Sequence, residues 1–97
     1  MKSLASVHLA GELDLSNVSS LRAKLGAVNG PAVVDLSDVT YLDSTALNEL
    51  ALLRRRVGTV ALVVRSANVR RTLDIVGFGQ SFRIVRKREE LDLRESE

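Results

Sequence analysis

Apolar and polar positions recur along the chain with two different periods. Residues 6–10 alternate between apolar and polar side chains, which predicts a half-buried strand. Residues 11–14 are predicted to form a turn, and Asp14 or Ser16 is predicted to cap the helix that follows. The helix is indicated by apolar residues at spacings of three and four, Val18, Leu21, Leu25 and Val28. Residues at these spacings lie on one face of a helix.

The rest of the chain repeats this succession of strand and helix. Residues 32–36 are a short apolar run that predicts a strand, followed by an acidic loop and a helix that ends at Gly58. Residues 60–64 are apolar at every position, which predicts a central strand covered on both faces. A third helix with Ser66 or Asn68 as its cap comes next. Gly77 and Gly79 are predicted to stop that helix. Residues 81–85 are predicted to form an outer strand, and residues 88–93 a final helical turn.

The element order β-α-β-α-β-α-β predicts an α/β fold. Helical connections between strands favour parallel pairing with right-handed crossovers. We therefore expect a mostly parallel or mixed sheet of about four strands packed with three to four helices. A length of 97 residues fits a single domain over residues 1–97, in which residues 1–5 and 94–97 are expected to be frayed.

Composition narrows the possible environment and chemistry. Apolar residues make up 45% of the chain but aromatic residues only 3%, so the core must be aliphatic. The chain has no cysteine, which excludes a disulfide and a thiolate metal site. No apolar run approaches the ~20 residues that span a bilayer, and the start of the chain does not resemble a signal peptide. We expect a cytoplasmic protein that does not insert into a membrane.

Charge is distributed unevenly between the two halves of the chain. Residues 1–50 contain three basic and six acidic residues, whereas residues 51–97 contain eleven basic and six acidic residues. A basic half can indicate nucleic-acid or membrane binding. Proteins that bind single-stranded nucleic acid usually add exposed aromatic side chains for stacking, and these are scarce here. We therefore expect a solvated basic face and no nucleic-acid partner.

Familiar catalytic and cofactor motifs are incomplete in this sequence. His8 is the only histidine, so a catalytic triad or a zinc site lacks its parts. Gly77-Phe78-Gly79 follows a predicted helix, whereas a dinucleotide loop follows a strand. We expect no enzyme activity, no cofactor and no metal. The alternative is a magnesium site built from carboxylates, which would use Asp14, Asp35, Asp38 and Asp43.

The hydroxyl pair Ser44 and Thr45 stands at the predicted start of the second helix. A hydroxyl in this position usually caps the helix. Asp43 is also a good cap, so the hydroxyls are partly redundant for that role. Free N–H groups at a helix start also favour a phosphate. The pattern therefore suggests a switch made from one hydroxyl.

Three motifs give the chain a resemblance to the STAS domain family, which includes anti-sigma factor antagonists and the tails of sulfate transporters. The motifs are Gly11-Glu12-Leu13-Asp14, residues 34–39 followed by Leu42-Asp43-Ser44-Thr45, and Val76-Gly77-Phe78. They occur in the family's order and spacing, and the resemblance extends from about residue 7 to residue 93. It implies a STAS fold and a bacterial anti-anti-sigma factor that acts in transcription regulation and signal transduction.

The resemblance also implies the functional residues. Ser44 would be phosphorylated by an anti-sigma factor of the serine kinase type, and the unphosphorylated form would sequester that factor. The partner would engage the turn at residues 11–14 and the helix start, and the implied contact residues are Gly11, Glu12, Asp14, Asp43, Ser44, Thr45, Ala46, Leu47 and Asn48. The family usually has glycine where this chain has Ala46, and more often has glycine at Asn48. Ala46 is expected to add a methyl group at the contact face.

Two other functions are compatible with the same sequence. Stand-alone STAS proteins also resemble the small cytoplasmic partner of bacterial lipid-transport ABC systems, in which the hydroxyl helix would dock on the ABC ATPase without a phosphate cycle. A module that binds a nucleotide or another anion at the same helix start is the third possibility. We expect a monomer or a weak dimer, the latter through an open edge strand.

Overall fold

The computed structural model describes residues 5–91 as a four-stranded sheet with helical connections. The strands are β1 (Ala5–Leu13), β2 (Ala32–Leu42), β3 (Val60–Val63) and β4 (Arg83–Val85). The helices are α1 (Val18–Gly26), α2 (Ser44–Val57) and α3 (Ala67–Ile75), with 3₁₀ turns at Leu15–Asn17 and Phe78–Gln80. The strand order in the sheet is β1-β2-β3-β4 and every pair is parallel. The predicted α/β class, element order and parallel sheet are confirmed.

The main core lies between the helices and one face of the sheet. It joins Leu21 and Leu25 of α1, Leu50 of α2 and Leu73 of α3 to apolar residues of the strands. A right-handed crossover between adjacent parallel strands places each helix on the same side, which explains this one-sided arrangement. Within residues 5–91, no helix is long and apolar enough to cross a membrane.

The opposite face of the sheet carries a smaller buried cluster, made of Val33, Ala61, Val63, Val85 and Leu91. The central strand β3 contributes to both clusters, and all four of its residues are buried. This confirms the prediction of a central strand covered on both faces. Residues 89–91 form the start of the predicted final helical turn, and the remainder of that turn lies outside the described residues.

The first two strands are longer than the sequence predicts. β1 continues to Leu13, so the predicted turn at residues 11–14 is wrong for its first three residues. β2 continues to Leu42, so the predicted acidic loop is wrong and only one residue separates β2 from α2. The physical reason is the pairing of the two strands, whose register extends to Leu13 beside Leu42.

The extension of β1 includes two irregularities. The register with β2 shifts between His8 and Ala10 and again between Gly11 and Glu12. Gly11 has a φ of 81°, which other residues rarely adopt, so glycine permits the irregularity there. Ala5 already belongs to β1 and is not frayed. The other residues predicted to be frayed lie outside the described part of the chain.

The predicted ends of α2 and α3 agree with the structure. Asp43 caps α2 and Ser66 caps α3, and Gly58 closes α2 with a φ of 92°. Gly77, with a φ of 82°, follows the end of α3. These residues fix where α2 and α3 begin and end, and Asp43 thereby fixes the position of the hydroxyl pair at the edge of the sheet.

The predicted cap and the predicted end of α1 are wrong. Asp14 caps the 3₁₀ turn at Leu15–Asn17, and α1 begins only after Asn17. The helix ends at Gly26, before Val28.

Candidate functional site

Asp43 connects the ends of the two longest strands with the start of α2. Its backbone N–H donates to the carbonyl of Leu13 at 3.1 Å. Its side chain accepts two hydrogen bonds, one from the N–H of Ala46 at 3.0 Å and one from the N–H of Leu15 at 3.0 Å. A carboxylate accepts several donors at once, since each oxygen has two lone pairs. Asp43 therefore acts as helix cap and as cross-link between two segments.

Asp14 has a comparable structural role in the 3₁₀ turn beside it. Its carboxylate accepts from the N–H of Ser16 at 3.0 Å and from the hydroxyl of Ser16 at 2.5 Å. Its own N–H donates to the side-chain oxygen of Asn17 at 2.9 Å, which completes a capping box. The amide of Asn17 in turn donates to the carbonyl of Glu12 at 2.7 Å. The segment from Glu12 to Asn17 is thus held in one conformation.

Ser44 is the first residue of α2 and its side chain is exposed. No hydrogen bond joins its hydroxyl to any residue between 5 and 91. Because Asp43 provides the cap, the hydroxyl of Ser44 is available to another molecule. The first N–H groups of a helix have no intrahelical partner, and the positive end of the helix dipole lies there. A phosphate on Ser44 would therefore enter a favourable electric field.

The other residues expected at the helix start differ in exposure. Asn48 is exposed one turn after Ser44, which places the two on the same face of α2. Thr45 and Leu47 are half-buried, and Leu47 packs against the core. Ala46 is fully buried, with 0% of its surface exposed. The expectation that Ala46 contacts a partner is wrong, because its methyl group fills the core between α2 and the sheet.

The residues expected in the preceding turn lie at the end of β1. Gly11 and Glu12 are both exposed, and Glu12 pairs with Tyr41 of β2 in the register. The structure therefore brings the two expected segments together, because Asp43 at the helix start is hydrogen-bonded to Leu13 and Leu15 on either side of Asp14. Whether a partner contacts these residues stays a prediction.

Leu15 is an exposed apolar residue that the sequence reasoning missed. It begins the 3₁₀ turn and 69% of its surface is exposed. Its N–H is fixed to Asp43, the residue before Ser44. The only signal in the sequence is an apolar residue between two polar capping residues, Asp14 and Ser16. We call Leu15, Ser44 and Asn48 the Ser44 surface.

The aspartates of the alternative magnesium site do not gather at one point. Within residues 5–91, no group of three acidic, histidine or cysteine side chains is placed to hold a metal ion. Asp14 and Asp43 are engaged in capping, whereas Asp38 accepts a 2.8 Å hydrogen bond from His8. The sequence-based alternative of a magnesium site is therefore not supported by the geometry.

Asp35 lies near His8 on the sheet, away from the Ser44 surface. Burial acts to raise the pKa of Asp35, but hydrogen bonds from the side chain and backbone of Ser37 act in the opposite direction. The charges of His8 and Arg88 add to that effect, and the pKa of Asp35 lies below its ordinary value of 3.8. Asp35 is therefore held as a carboxylate and has a structural use within the fold.

Comparison with protein families and curated proteins gives consistent matches. The family model described as "Mlab, STAS domain" matches residues 2–87. The anti-sigma-F factor antagonist RsfB of Mycobacterium tuberculosis is 31% identical over 88 residues, which cover 84% of this chain and 72% of RsfB. A STAS-domain containing protein of Pseudomonas aeruginosa is 46% identical over 56 residues, which cover 54% of this chain and 55% of that protein.

Comparison with solved structures agrees on the fold. The unphosphorylated form of the anti-sigma factor antagonist SpoIIAA superposes with a TM-score of 0.67. The match covers 99% of this chain and 93% of that chain, at 21% sequence identity. The parallel sheet and its helices are therefore arranged as in that protein.

Proposed function

The chain belongs to the STAS domain family, and on that premise we propose that it is an anti-sigma factor antagonist. In this proposal the chain binds an anti-sigma factor of the serine kinase type while Ser44 is unphosphorylated. When that partner phosphorylates Ser44, the complex dissociates and the anti-sigma factor is released. The chain supplies a binding surface and no catalysis, and it acts in the bacterial cytoplasm as a monomer or weak dimer.

The observation that carries the proposal is the division of roles between Asp43 and Ser44. Asp43 caps α2, so the neighbouring hydroxyl is exposed and has no hydrogen-bond partner among residues 5–91. A serine kept at a helix start without a capping role is free for modification. The similarity to RsfB, named as an anti-sigma-F factor antagonist, supports the same conclusion.

Simple electrostatics indicates that the phosphate would act on binding and leave the fold intact. A phosphoserine carries about −1.5 to −2 charges. The helix N-terminus favours that charge by ~0.3–1 kcal/mol, and Asp43 opposes it by a similar amount at a solvated distance. The two effects nearly cancel in the isolated protein.

The balance changes when a partner covers the Ser44 surface. Burying a phosphate dianion without a counter-charge costs several kcal/mol, and each ~1.4 kcal/mol is a factor of ten in affinity. Leu15 would supply apolar contact area to the unphosphorylated complex, because it is exposed and its backbone is fixed. One modified hydroxyl therefore suffices to separate the complex.

Affinity capture of native partners tests the proposal. The immobilised full chain is exposed to extract of the source bacterium without ATP, and retained proteins are identified by mass spectrometry. We expect an anti-sigma kinase on the unmodified chain, and its loss on the Ser44→Asp variant. Ser19→Asp is the matched control, because Ser19 is an exposed serine of α1 outside the Ser44 surface.

Two results would contradict the proposal. One is retention of the anti-sigma factor at full strength by a folded Ser44→Asp variant. The other is recovery of an ABC ATPase as the specific partner, which would favour the transport subunit considered above. Circular dichroism of each variant shows whether it is folded, so a loss of binding is not confused with a loss of structure.

A further inference from the structure

Two adjoining cavities at the end of the sheet share a pair of arginines. The larger has a volume of about 490 Å³ and the smaller about 270 Å³. Arg65 and Arg86 line both cavities. Lys87 and Arg88 add two further cations to the larger one, and Arg70 adds one to the smaller. We call the two cavities together the arginine cleft.

The arginine cleft lies at the carboxyl edge of β3 and β4. Arg65 comes two residues after the end of β3, and Arg86 directly follows β4. Open α/β sheets usually bind ligands at this edge where the strand order reverses. The order β1-β2-β3-β4 has no reversal, so a site at this edge depends on its side chains and its volume. The volume of the larger cavity falls within the usual range of ~300–1,000 Å³ for small-molecule sites. The size of the larger cavity therefore fits a small ligand.

The arginine cleft is separate from the Ser44 surface. The last residue of β3, Val63, pairs with Asp35 of β2, and β2 then continues for seven residues to Leu42 before α2 begins. At ~3.3 Å per residue this is a distance of about 20 Å. A ligand in the cleft would therefore leave the Ser44 hydroxyl uncovered.

Three of the five cations in the cleft, Arg65, Arg86 and Lys87, have neither a hydrogen bond nor an ion pair from their side chains within the described part of the chain. Arg88 donates to the hydroxyl of Ser6 at 2.9 Å and its charge acts on Asp35, and Arg70 pairs with Asp74 at 3.1 Å. By contrast, no hydrogen bond or ion pair joins the side chain of Arg65 or Arg86 to any residue from 5 to 91.

Neighbouring guanidinium groups repel one another unless an anion lies between them. A guanidinium presents a planar fork of donors that matches a phosphate with two parallel hydrogen bonds. The smaller cavity has no acidic residue in its lining, and the larger has only Asp35 and Glu89. Arg65 and Arg86 are thus placed to hold phosphate groups.

We propose that the arginine cleft binds a small soluble compound with at least two phosphate groups. The shared arginines place one phosphate toward each cavity. A concave site favours a soluble ligand over a membrane surface, because a planar bilayer does not enter it. This site is additional to the proposed function and does not depend on it.

Isothermal titration calorimetry of the full chain with inorganic pyrophosphate tests the proposal. We expect saturable binding with one site per chain. The double variant Arg65→Ala/Arg86→Ala should bind at least about tenfold more weakly, because it loses two charge-assisted contacts. The control Arg55→Ala/Arg71→Ala removes the same charge from exposed helix positions, and should stay within about twofold of the unmodified chain.

Several results would overturn the proposal. One is an absence of saturable pyrophosphate binding. Another is an equal loss of affinity in the two double variants, because that would indicate a general effect of charge. Binding to vesicles of phosphatidylglycerol, or to a hexaglutamate peptide, without binding to pyrophosphate would also overturn it. The Ser44→Asp variant should bind pyrophosphate as the unmodified chain does, so failure of the proposed switch and failure of this site are distinguishable.

Discussion

The backbone N–H of Leu15 donates a 3.0 Å hydrogen bond to Oδ2 of Asp43, which lies 28 residues later in the chain. The other carboxylate oxygen of Asp43 caps α2 through Ala46. One side chain therefore fixes both an exposed apolar residue and the start of the helix that carries Ser44. The Ser44 surface depends on this residue for its geometry.

Replacement of Asp43 should destabilise the fold by removing both hydrogen bonds. Loss of a helix cap costs ~1 kcal/mol, and the unpaired N–H of Leu15 adds ~1 kcal/mol. We expect Asp43→Ala to lower the free energy of unfolding by about 2 kcal/mol in urea denaturation. Asp43→Asn should cost about half as much, because its amide oxygen still accepts from Ala46.

Asp38→Ala is the control for that experiment. Asp38 is exposed, and among residues 5–91 its side chain is hydrogen-bonded only to the exposed His8. Exposed ion pairs contribute little to stability. An equal loss of stability in the Asp38 and Asp43 variants would contradict the role given to Asp43.

Ala46→Gly should affect stability and leave partner binding unchanged. Glycine inside a helix is less favourable than alanine by ~1 kcal/mol, and the methyl group of Ala46 is buried. We expect a decrease of about 1 kcal/mol in the free energy of unfolding. The affinity for the captured anti-sigma factor, measured by calorimetry, should not change. A tighter complex would show that the methyl group does face the partner after all.

Arg56 should stabilise the end of α1 from a distant part of the chain. Its guanidinium donates to the carbonyls of Val28 at 2.7 Å and Leu25 at 2.9 Å. A cation at a helix C-terminus is also favoured by the helix dipole. We expect Arg56→Ala to cost ~1–2 kcal/mol in thermal or urea unfolding. Arg55→Ala removes an exposed neighbour and should have little effect. If both variants unfold alike, the hydrogen bonds of Arg56 contribute nothing measurable.

The lowered pKa of Asp35 should make the free energy of unfolding depend on pH. Its pKa is lower in the folded protein than its ordinary value of 3.8, so the folded state holds the carboxylate more strongly than the unfolded state. The resulting stabilisation is present above the ordinary value and is lost as the pH falls through the folded value. Asp35→Asn should therefore be less stable than the unmodified chain at neutral pH, and the difference should shrink below about pH 4. If the difference in the free energy of unfolding between the two proteins grew as the pH fell, the role given to Asp35 would be contradicted.

The sequence predicts the order of elements and the ends of α2 and α3 well, but not the start and end of α1. Apolar spacing identifies α1, and Asp43, Gly58 and Ser66 mark helix ends by their ordinary capping chemistry. These signals are local, so a single stretch of chain contains them. The exposure of Ser44 follows from the same local pattern, because Asp43 already provides the cap.

The extent of β1 and β2 is not a local property. The polar residues Ser37, Asp38 and Thr40 indicate a loop, yet they belong to a strand because β1 pairs with that segment. The bond between Asp43 and Leu15 depends on the same long-range pairing. The burial of Ala46, by contrast, has a signal in the sequence, since Leu50 and Leu53 follow it at helical spacings of four and three.

The most direct test of the switch is to locate the phosphate. The full chain is incubated with its captured anti-sigma kinase and ATP, and the modified residue is identified by tandem mass spectrometry of its peptides. The account predicts one phosphate, on Ser44, and no modification of the Ser44→Ala variant. A phosphate on another residue while Ser44 stays unmodified, or no phosphate on a chain that the kinase binds, would contradict it.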